Sequence, residues 1–361
     1  MPHAETAWND QGVSGPRTPT GFYPTPPALV VGGRFQIGTF ASAIPRINAL
    51  EAVPAATRWL HGLRLKEWQA FQLMDPDYFI VGAVYAAKVI DLLQIAVVEK
   101  RTGRMQKWQR KVAPRRLRIA RGLDGTTSTG RAAGLCVTFV NEIPRGDLRI
   151  DAQCPRGGAL PDLSLRATGR CGAAEAGHLV ICHPFPSGRA LYSHKCIMPG
   201  AGILRMGALE HRFDAARSVL ILDDHKGFYP FPMAYDWLTT AARDADGRVV
   251  GVNLTANQIR DPERYNENAL WIGTTVERLP AIRFERPHGV YGIWHIQDRD
   301  GRVDVRFFPT VRNEVHVGPR RILAEYYGPF GSVEGTIVRT NGDTVRLDGF
   351  FGMGEQKRIR M

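Results

Sequence analysis

The chain has 361 residues and a hydrophobic fraction of 44%, which exclude a single small core and a wholly disordered protein. Its formal net charge is +12, but the basic residues are scattered and only the stretch 107–121 is dense. We interpret that stretch as a solvated face, so we do not expect nucleic acid as a partner.

Residues 1–27 are rich in Gly, Pro and Thr and predict an extended N-terminal arm. The opening residues carry neither the basic nor the apolar segment of a secretory signal, and no apolar run approaches the ~20 residues of a membrane helix. The five cysteines are odd in number and lack a C-x-x-C spacing, which favours free thiols over disulfides. We therefore expect a cytoplasmic protein with no membrane span, no metal and no cofactor.

Short strand-like segments fill the next part of the chain, among them "GLCVTFV", "DLRIDAQ", "LSLRATG" and "HLVICHPF". Two windows, 58–71 and 233–243, have helical periodicity, although the second fits a strand equally well. In the second half, "DADGRVVGV", "QDRDGRVDVRFF" and "RTNGDTVRL" place Asp-Gly or Asn-Gly between strand-like flanks, which predicts tight hairpins. The pattern predicts a mainly β fold of two antiparallel barrels, at 28–190 and 191–361, with few short helices.

The segment "ILDDHKGFYPFPMAYDW" places four ionisable residues directly after an apolar strand. Because side chains alternate along a strand, Asp223 and His225 share one face, whereas Asp224 and Lys226 share the other. A carboxylate beside an imidazole in a sheltered site can form a proton-transfer pair. The other interpretation is a turn in which the aspartates accept backbone N–H bonds, and the spacing leaves both open.

Aromatic and amide side chains near these charges are candidates for ligand contacts. The aromatic and proline residues after Gly227 form a stiff apolar wall, which is typical of an occluded pocket and equally of a barrel plug. Asn253 and Asn257 share one face of a strand, where asparagine is uncommon unless its amide has a buried partner. With Lys226, the candidate substrate-binding residues are Lys66, Trp68, Tyr229, Tyr235, Asp236, Trp237, Asn253, Asn257, Glu267, Asn268 and Trp271.

Four motifs together resemble a bacterial family known as domain of unknown function 2804. They are "LRLKEWQAF", "DDHKGFYPFPMAYDW", "NLTANQIRDPERYNENALW" and "YYGPFGSVEGTI…DGFFGMGEQK", within a match from about residue 21 to residue 357. The resemblance implies a family and no established activity. A fainter similarity in architecture, to tandem lipocalin-like proteins such as carotenoid hydratases and AttH-like proteins, implies two lipocalin-like barrels that hold apolar ligands, often between them.

Two functional hypotheses follow, and both place an apolar or lipid-like small molecule in a pocket near the domain junction. The first is a cofactor-independent hydratase, isomerase or cyclase, with Asp223, Asp224 and His225 as the catalytic residues that move protons. The second is a non-catalytic carrier or sensor, in which the same charges only hold strands together. The two hypotheses differ in whether Asp223 and His225 face a shared cavity.

Overall fold

Antiparallel strands account for most of the structure, a computed structural model that describes residues 21–155, 159–318 and 323–360. Up to Gly227 the strands are β1 (Val30–Val31), β2 (Arg34–Phe35), β3 (Gly38–Phe40), β4 (Lys66–Met74), β5 (Tyr78–Ala86), β6 (Asp91–Glu99), β7 (Arg104–Val112), β8 (Asp124–Ala132), β9 (Leu135–Glu142), β10 (Asp147–Cys154), β11 (Leu163–Arg170), β12 (Gly177–Pro184), β13 (Ala190–Met206), β14 (Leu209–Phe213) and β15 (Val219–Gly227). Most have eight or nine residues, which matches the strand-like segments in the sequence.

The later strands are β16 (Met233–Arg243), β17 (Val249–Asn257), β18 (Ala269–Ile272), β19 (Thr275–Arg278), β20 (Ile282–Glu285), β21 (Trp294–Asp298), β22 (Val303–Val311), β23 (Glu314–Val317), β24 (Ala324–Tyr327), β25 (Phe330–Val338), β26 (Thr344–Arg346) and β27 (Phe350–Ile359). The helices are α1 (Arg58–Gly62), α2 (Pro262–Tyr265) and the 3-10 turns Ala49–Ala52, Ala55–Thr57 and Ile143–Arg145. None of the helices formed by the described residues has the length and apolarity needed to cross a bilayer. The predicted arm lies outside the described residues as far as residue 20.

The first sheet contains β3 to β15 and follows the path β7-β6-β5-β4-β15-β13-β11-β10-β9-β8. Strand β13 is long enough to have different neighbours along its length, because its first half pairs with β12 and β15 and its second half with β11 and β14. The sheet curls around an apolar core that includes Phe71, Leu93, Trp108, Phe139 and Leu148. This core fills the inside of the curl, and the opposite face of β4, β5 and β15 is left for other contacts.

The second sheet contains β16 to β27 and follows the path β19-β18-β17-β16-β27-β25-β22-β21-β20. The three hairpins predicted from Asp-Gly and Asn-Gly are confirmed as β16–β17, β21–β22 and β25–β26. Its core includes Leu254, Trp294 and Phe307. A Cβ atom at Gly354 would lie 2.6 Å from the Trp294 ring, so glycine at this position of β27 lets the indole pack against the strand.

The mainly β fold with tandem barrels and few short helices is confirmed, but both helical windows need correction. Only residues 58–62 of the first window are helical and residues 66–71 begin β4, while 233–243 is β16. In each case hydrogen bonds to strands on both sides satisfy the backbone and outweigh local periodicity. The change of sheet falls after Gly227, because β15 inserts between β4 and β13. The domain boundary near residue 190 stays a prediction.

The two sheets pack against each other through the faces that point away from their own cores. An apolar cluster joins them, with the Phe79 and Phe330 rings 5.4 Å apart. Lys107 Nζ of β7 also donates to Asn313 Oδ1 at 2.6 Å, and Lys111 Nζ lies 3.5 Å from the carbonyl oxygen of His316. Two lysines of the basic stretch 107–121 therefore connect the sheets.

Candidate functional site

A cavity of about 120 Å³ lies between the two sheets. Strands β4, β5, β6, β7, β13 and β15 contribute to one wall and β16, β17, β23, β24 and β27 to the other. Apolar side chains form most of the lining. Eight predicted site residues lie on its walls: Trp68, Asp223, His225, Tyr229, Tyr235, Trp237, Asn257 and Glu267. The cavity is similar in size to engineered cavities of about 150 Å³ that bind benzene.

Asp223 and His225 lie side by side on the first wall. Asp223 Oδ1 is 2.9 Å from His225 Nε2, and its Oδ2 accepts a hydrogen bond of 3.1 Å from Trp68 Nε1. Because an ionised carboxylate only accepts, we assign a hydrogen to His225 Nε2. The His225 ring stacks on Trp68 with centroids 4.5 Å apart, and its Nδ1 faces the Tyr229 hydroxyl at 3.4 Å. Both nitrogens of the imidazole are thus positioned.

Lys195 of β13 supplies the positive charge beside this pair. Its Nζ donates to Asp223 Oδ1 and lies 3.2 Å from His225 Nε2 and 3.7 Å from Glu267 Oε2. The ammonium is also 5.1 Å from the centroid of the Trp237 ring, within the range of a cation–π contact. The register of β13 against β15 pairs Lys195 with Asp223 directly, so the ion pair follows from the strand pairing.

Glu267 is the second carboxylate of this wall and comes from the loop before β18. Its Oε2 accepts a 2.6 Å hydrogen bond from Ser193 Oγ, and it lies 3.7 Å from His225 Nε2 and 3.8 Å from His183 Nε2. Burial would raise the pKa of Glu267, but Lys195 and the two histidines outweigh it and hold the pKa well below its usual range. Glu267 is therefore a fixed negative charge.

The neighbouring groups are held ionised in the same way. Burial would raise the pKa of Asp223, but His225 and Lys195 outweigh it and lower the pKa below its usual range. Burial would lower the pKa of Lys195, but Asp223 and Glu267 outweigh it and raise the pKa. The first wall therefore presents a lysine and two carboxylates that keep their charges at neutral pH.

Strand β27 gives the opposite wall a different electrostatic character. Glu355 accepts hydrogen bonds from the hydroxyls of Tyr326, at 2.6 Å, and Tyr235, at 2.9 Å. Burial raises the pKa of Glu355, and the opposing influence of Lys357 and the tyrosine hydrogen bonds does not cancel it. Glu355 thus holds a proton more tightly than an ordinary glutamic acid, whereas Asp223 across the cavity releases its proton more readily.

Lys357 lies two residues after Glu355 and has aromatic rings around its ammonium. Its Nζ is 4.6 Å from the Tyr85 ring centroid, 5.1 Å from that of Trp68 and 5.3 Å from that of Tyr235. It lies 3.2 Å from the Tyr235 hydroxyl. Burial lowers the pKa of Lys357, and Glu355 and Asp223 offset this only in part. The indole of Trp68 contacts Asp223 as well as Lys357, so it joins the two charged groups.

Asp224 and Lys226 do not reach the cavity, although they were predicted with their neighbours. Lys226 Nζ is 2.5 Å from both carboxylate oxygens of Asp224, and both side chains lie on the core side of β15. Burial raises the pKa of Asp224 despite the contact with Lys226. The structure thus removes this pair from the set of cavity-facing residues, because strand alternation directs it into the first barrel.

Five other predicted residues also lie off the cavity walls. Asp236 pairs with Arg286 at 2.9 Å, and Lys66 Nζ donates to the carbonyl oxygen of Ala87. The remaining three hold the wall in position: Asn253 Oδ1 accepts from Trp237 Nε1, Asn268 Oδ1 accepts from the backbone N–H of Thr255, and Trp271 Nε1 donates to the carbonyl oxygen of Gly177. The amide-rich strand therefore supports the wall more than it lines it.

Sequence reasoning missed the residues that complete both walls. Lys195 and Ser193 alternate along β13, and Glu355 and Lys357 alternate along β27, so each pair carries the same two-residue signal as Asp223 and His225. "GMGEQK" contained that signal, but nothing in the sequence shows that β27 lies against the first sheet. Tyr85 and Tyr326 occur in apolar segments and give no local signal.

One group of side chains in the described part of the chain has the spacing of a metal site. Ligand atoms of Asp75, Asp77 and His211 all lie within 4.8 Å of one another. Asp75 already accepts the backbone N–H groups of Asp77 and Tyr78 and contacts His211 Nε2 at 2.6 Å. These bonds account for the geometry without an ion. Asp75 and Asp77 directly follow the C-terminal end of β4, whereas Lys66 is at the N-terminal end of that strand.

Comparisons with known proteins agree with this architecture. Kievitone hydratase from Nectria haematococca is 13% identical, with a TM-score of 0.52 over 88% of this chain and 94% of that chain. CghA, crystallised with Sch210972, is 11% identical, with a TM-score of 0.51 over 83% of this chain and 89% of that chain. At these identities the likeness shows the fold alone. The sequence matches no curated protein. The model of a family described as Domain of unknown function (DUF2804) matches residues 32–361, and the chain therefore belongs to that family.

Proposed function

We propose that the inter-sheet cavity binds a small, largely apolar molecule, that Glu355 on one wall transfers protons to and from it without a cofactor, and that the charged groups of the facing wall orient it. The observation that carries this proposal is the opposed behaviour of two carboxyl groups on facing walls. The pKa of Glu355 is raised and that of Asp223 is lowered. Titratable groups driven apart in this way by their surroundings are typical of acid and base pairs in enzymes.

In this proposal Glu355 is the group that donates and accepts the proton. The Tyr235 and Tyr326 hydroxyls orient its carboxyl group, and Lys357 lies close enough to polarise a bound oxygen atom. The other wall presents immobile polar and charged groups, Asp223, His225 and Lys195, which orient the ligand. An isomerase reaction needs only such positioned groups in a site that excludes bulk water, and a hydratase must in addition admit one water molecule as its second substrate.

A non-catalytic carrier of a lipid-like molecule is the second candidate, and one observation favours it. Both oxygens of Asp223 are occupied, by Lys195, His225 and Trp68, and Glu267 accepts a short hydrogen bond from Ser193. Saturated carboxylates hold strands together without chemistry. Under this candidate the cavity binds ligand, and the exchange of ligand protons with solvent stays at the uncatalysed rate.

Isotope exchange distinguishes these candidates without knowledge of the natural substrate. Cyclohex-2-enone suits the cavity volume and carries acidic C–H groups and a carbon that adds water. The protein is incubated with it in D₂O, and mass spectrometry follows deuterium incorporation and water addition. Kievitone hydratase, which shares the fold, makes water addition the first reaction to examine. We expect exchange with the wild type and at least a ~100-fold slower rate with Glu355→Gln.

The exposed carboxylate of Glu334 provides the control, because Glu334→Gln makes the same chemical change away from the cavity. Binding is measured separately by calorimetry. Binding without exchange above the uncatalysed rate would support the carrier, and exchange that is unchanged in Glu355→Gln would contradict the assigned role of this residue.

A further inference from the structure

Exposed apolar side chains are concentrated at one place on the surface. Of the seven large hydrophobic residues that are exposed in the described chain, five belong to α1, the turn between β5 and β6 and the turn after β15: Trp59, Leu60, Leu63, Val89 and Phe231. We call these five the apolar patch. Trp59 is 67% exposed and Phe231 is 63% exposed, which is unusual for rings of this size.

The geometry of α1 explains why three of these side chains project together. Leu63 follows the helix with helical backbone angles, and Trp59 and Leu60 precede it by four and three residues. Residues at these spacings share one face of a helix. The opposite side of the helix is anchored, since the His61 ring packs edge-on against Phe228 with centroids 6.2 Å apart. The apolar face is therefore held outward by packing.

A groove of about 550 Å³ runs beside the patch and leads toward the cavity. Leu63, Val89 and Phe231 line it, and Tyr229 and Ile359 line both the groove and the inter-sheet cavity. The groove beside the apolar patch and the inter-sheet cavity therefore share two lining residues.

The lining of the groove also carries positive charge and no acidic side chain. Its lining contains Arg64, Lys66 and Arg189 and no aspartate or glutamate. None of the three is in an ion pair with a carboxylate of the described residues. Burial lowers the pKa of Lys66 to about 8, and Lys88, Arg64 and Lys357 lower it further against the opposing charge of Asp91. The lining of the groove therefore carries a net positive charge.

We propose that the apolar patch, together with Arg64 and Arg189 of the adjacent groove, forms a docking surface for an anionic lipid bilayer. Tryptophan and phenylalanine insert at the level of the headgroups, and arginines nearby attract the negative surface. A second copy of the chain fits the patch poorly, because it would bring unpaired arginines face to face. The docking proposal stands independently of the proposed reaction, and its position beside the groove would place the cavity next to a source of apolar molecules.

Vesicle co-sedimentation tests the proposal with the full chain. Vesicles of phosphatidylcholine alone are compared with vesicles that also contain phosphatidylglycerol, at low and high salt. We expect sedimentation with the anionic vesicles only, and weaker sedimentation at high salt. Trp59→Ser with Phe231→Ser should lower the partition coefficient about tenfold or more, from the apolar area lost. Arg64→Gln should lower it about fivefold, from one cation lost near the surface.

Matched controls use residues outside the patch, Ile293→Ser for the apolar changes and Arg299→Gln for the charge. Thermal unfolding checks that every variant is folded. Failure of the wild type to sediment with anionic vesicles would overturn the proposal, and so would equal losses in the control variants. Sedimentation velocity supplies a further test, because a dimer that dissociates in the Trp59→Ser, Phe231→Ser variant would assign the patch to a second copy instead.

Discussion

Replacing Lys226 or Lys195 by methionine should have different consequences, although each lysine is buried against an aspartate of β15. Lys226 is the side chain that contacts both oxygens of Asp224. In Lys226→Met the carboxylate loses this counter-charge and takes up a proton. Protonating an aspartic acid with an unfolded pKa of about 3.9 at pH 7 costs about 1.4 kcal/mol per pH unit, or about 4 kcal/mol of unfolding free energy.

Lys195→Met should be less destabilising, because the groups left behind keep other donors. Asp223 retains Trp68 Nε1 at 3.1 Å and His225 Nε2 at 2.9 Å, and Glu267 retains Ser193 Oγ at 2.6 Å. The loss is then close to one charge-assisted hydrogen bond, about 2 kcal/mol. The rate of deuterium exchange should show the opposite order. Lys195→Met should slow exchange more than Lys226→Met, because Lys195 lines the cavity and Lys226 does not.

Urea unfolding followed by circular dichroism and by tryptophan fluorescence measures both effects. In Lys226→Met the folded pKa of Asp224 lies above its unfolded value, so the penalty is absent below about pH 4 and grows as the pH rises. Adding Asp224→Asn removes the second charge and should recover at least half of the loss. A penalty below about 1 kcal/mol, or one that does not change with pH, would refute this reasoning.

Two further outcomes follow from single contacts. Because burial raises the pKa of Glu355, its ionisation opposes folding as the pH rises. Glu355→Gln should therefore have the unfolding temperature of the wild type near about pH 4 and a higher one near pH 8. A difference in unfolding temperature that does not change with pH would contradict the raised pKa. Gly354→Ala places a methyl group 2.6 Å from Trp294 and should lose about 1–3 kcal/mol in urea unfolding. Gly62→Ala, with open space around its Cβ, is the control and should lose nothing.

The architecture was predictable because its signals are local. Asp-Gly and Asn-Gly turns fix the hairpins, and strand alternation separates Asp223 and His225 from Asp224 and Lys226, as the structure confirms. The site was only half predictable, because its walls meet through long-range pairing. Lys195 lies opposite Asp223 only because of the register of β13 and β15. Lys357 and Trp68 are 289 residues apart in the sequence, and they meet only because the two sheets pack together.

Burial of β15 on both faces explains why its four charged residues cannot be treated as one motif. Asp223 and His225 face the second sheet and the cavity, whereas Asp224 and Lys226 face the interior of the first barrel. An edge strand with one solvated face would hydrate the second pair, and no counter-charge would be needed. Between β4 and β13 both pairs must be neutralised within the protein. The ion pair on the core side therefore holds in place the strand on which the cavity pair depends, and a lost reaction in a Lys226 variant indicates a chemical role only when its unfolding free energy is unchanged.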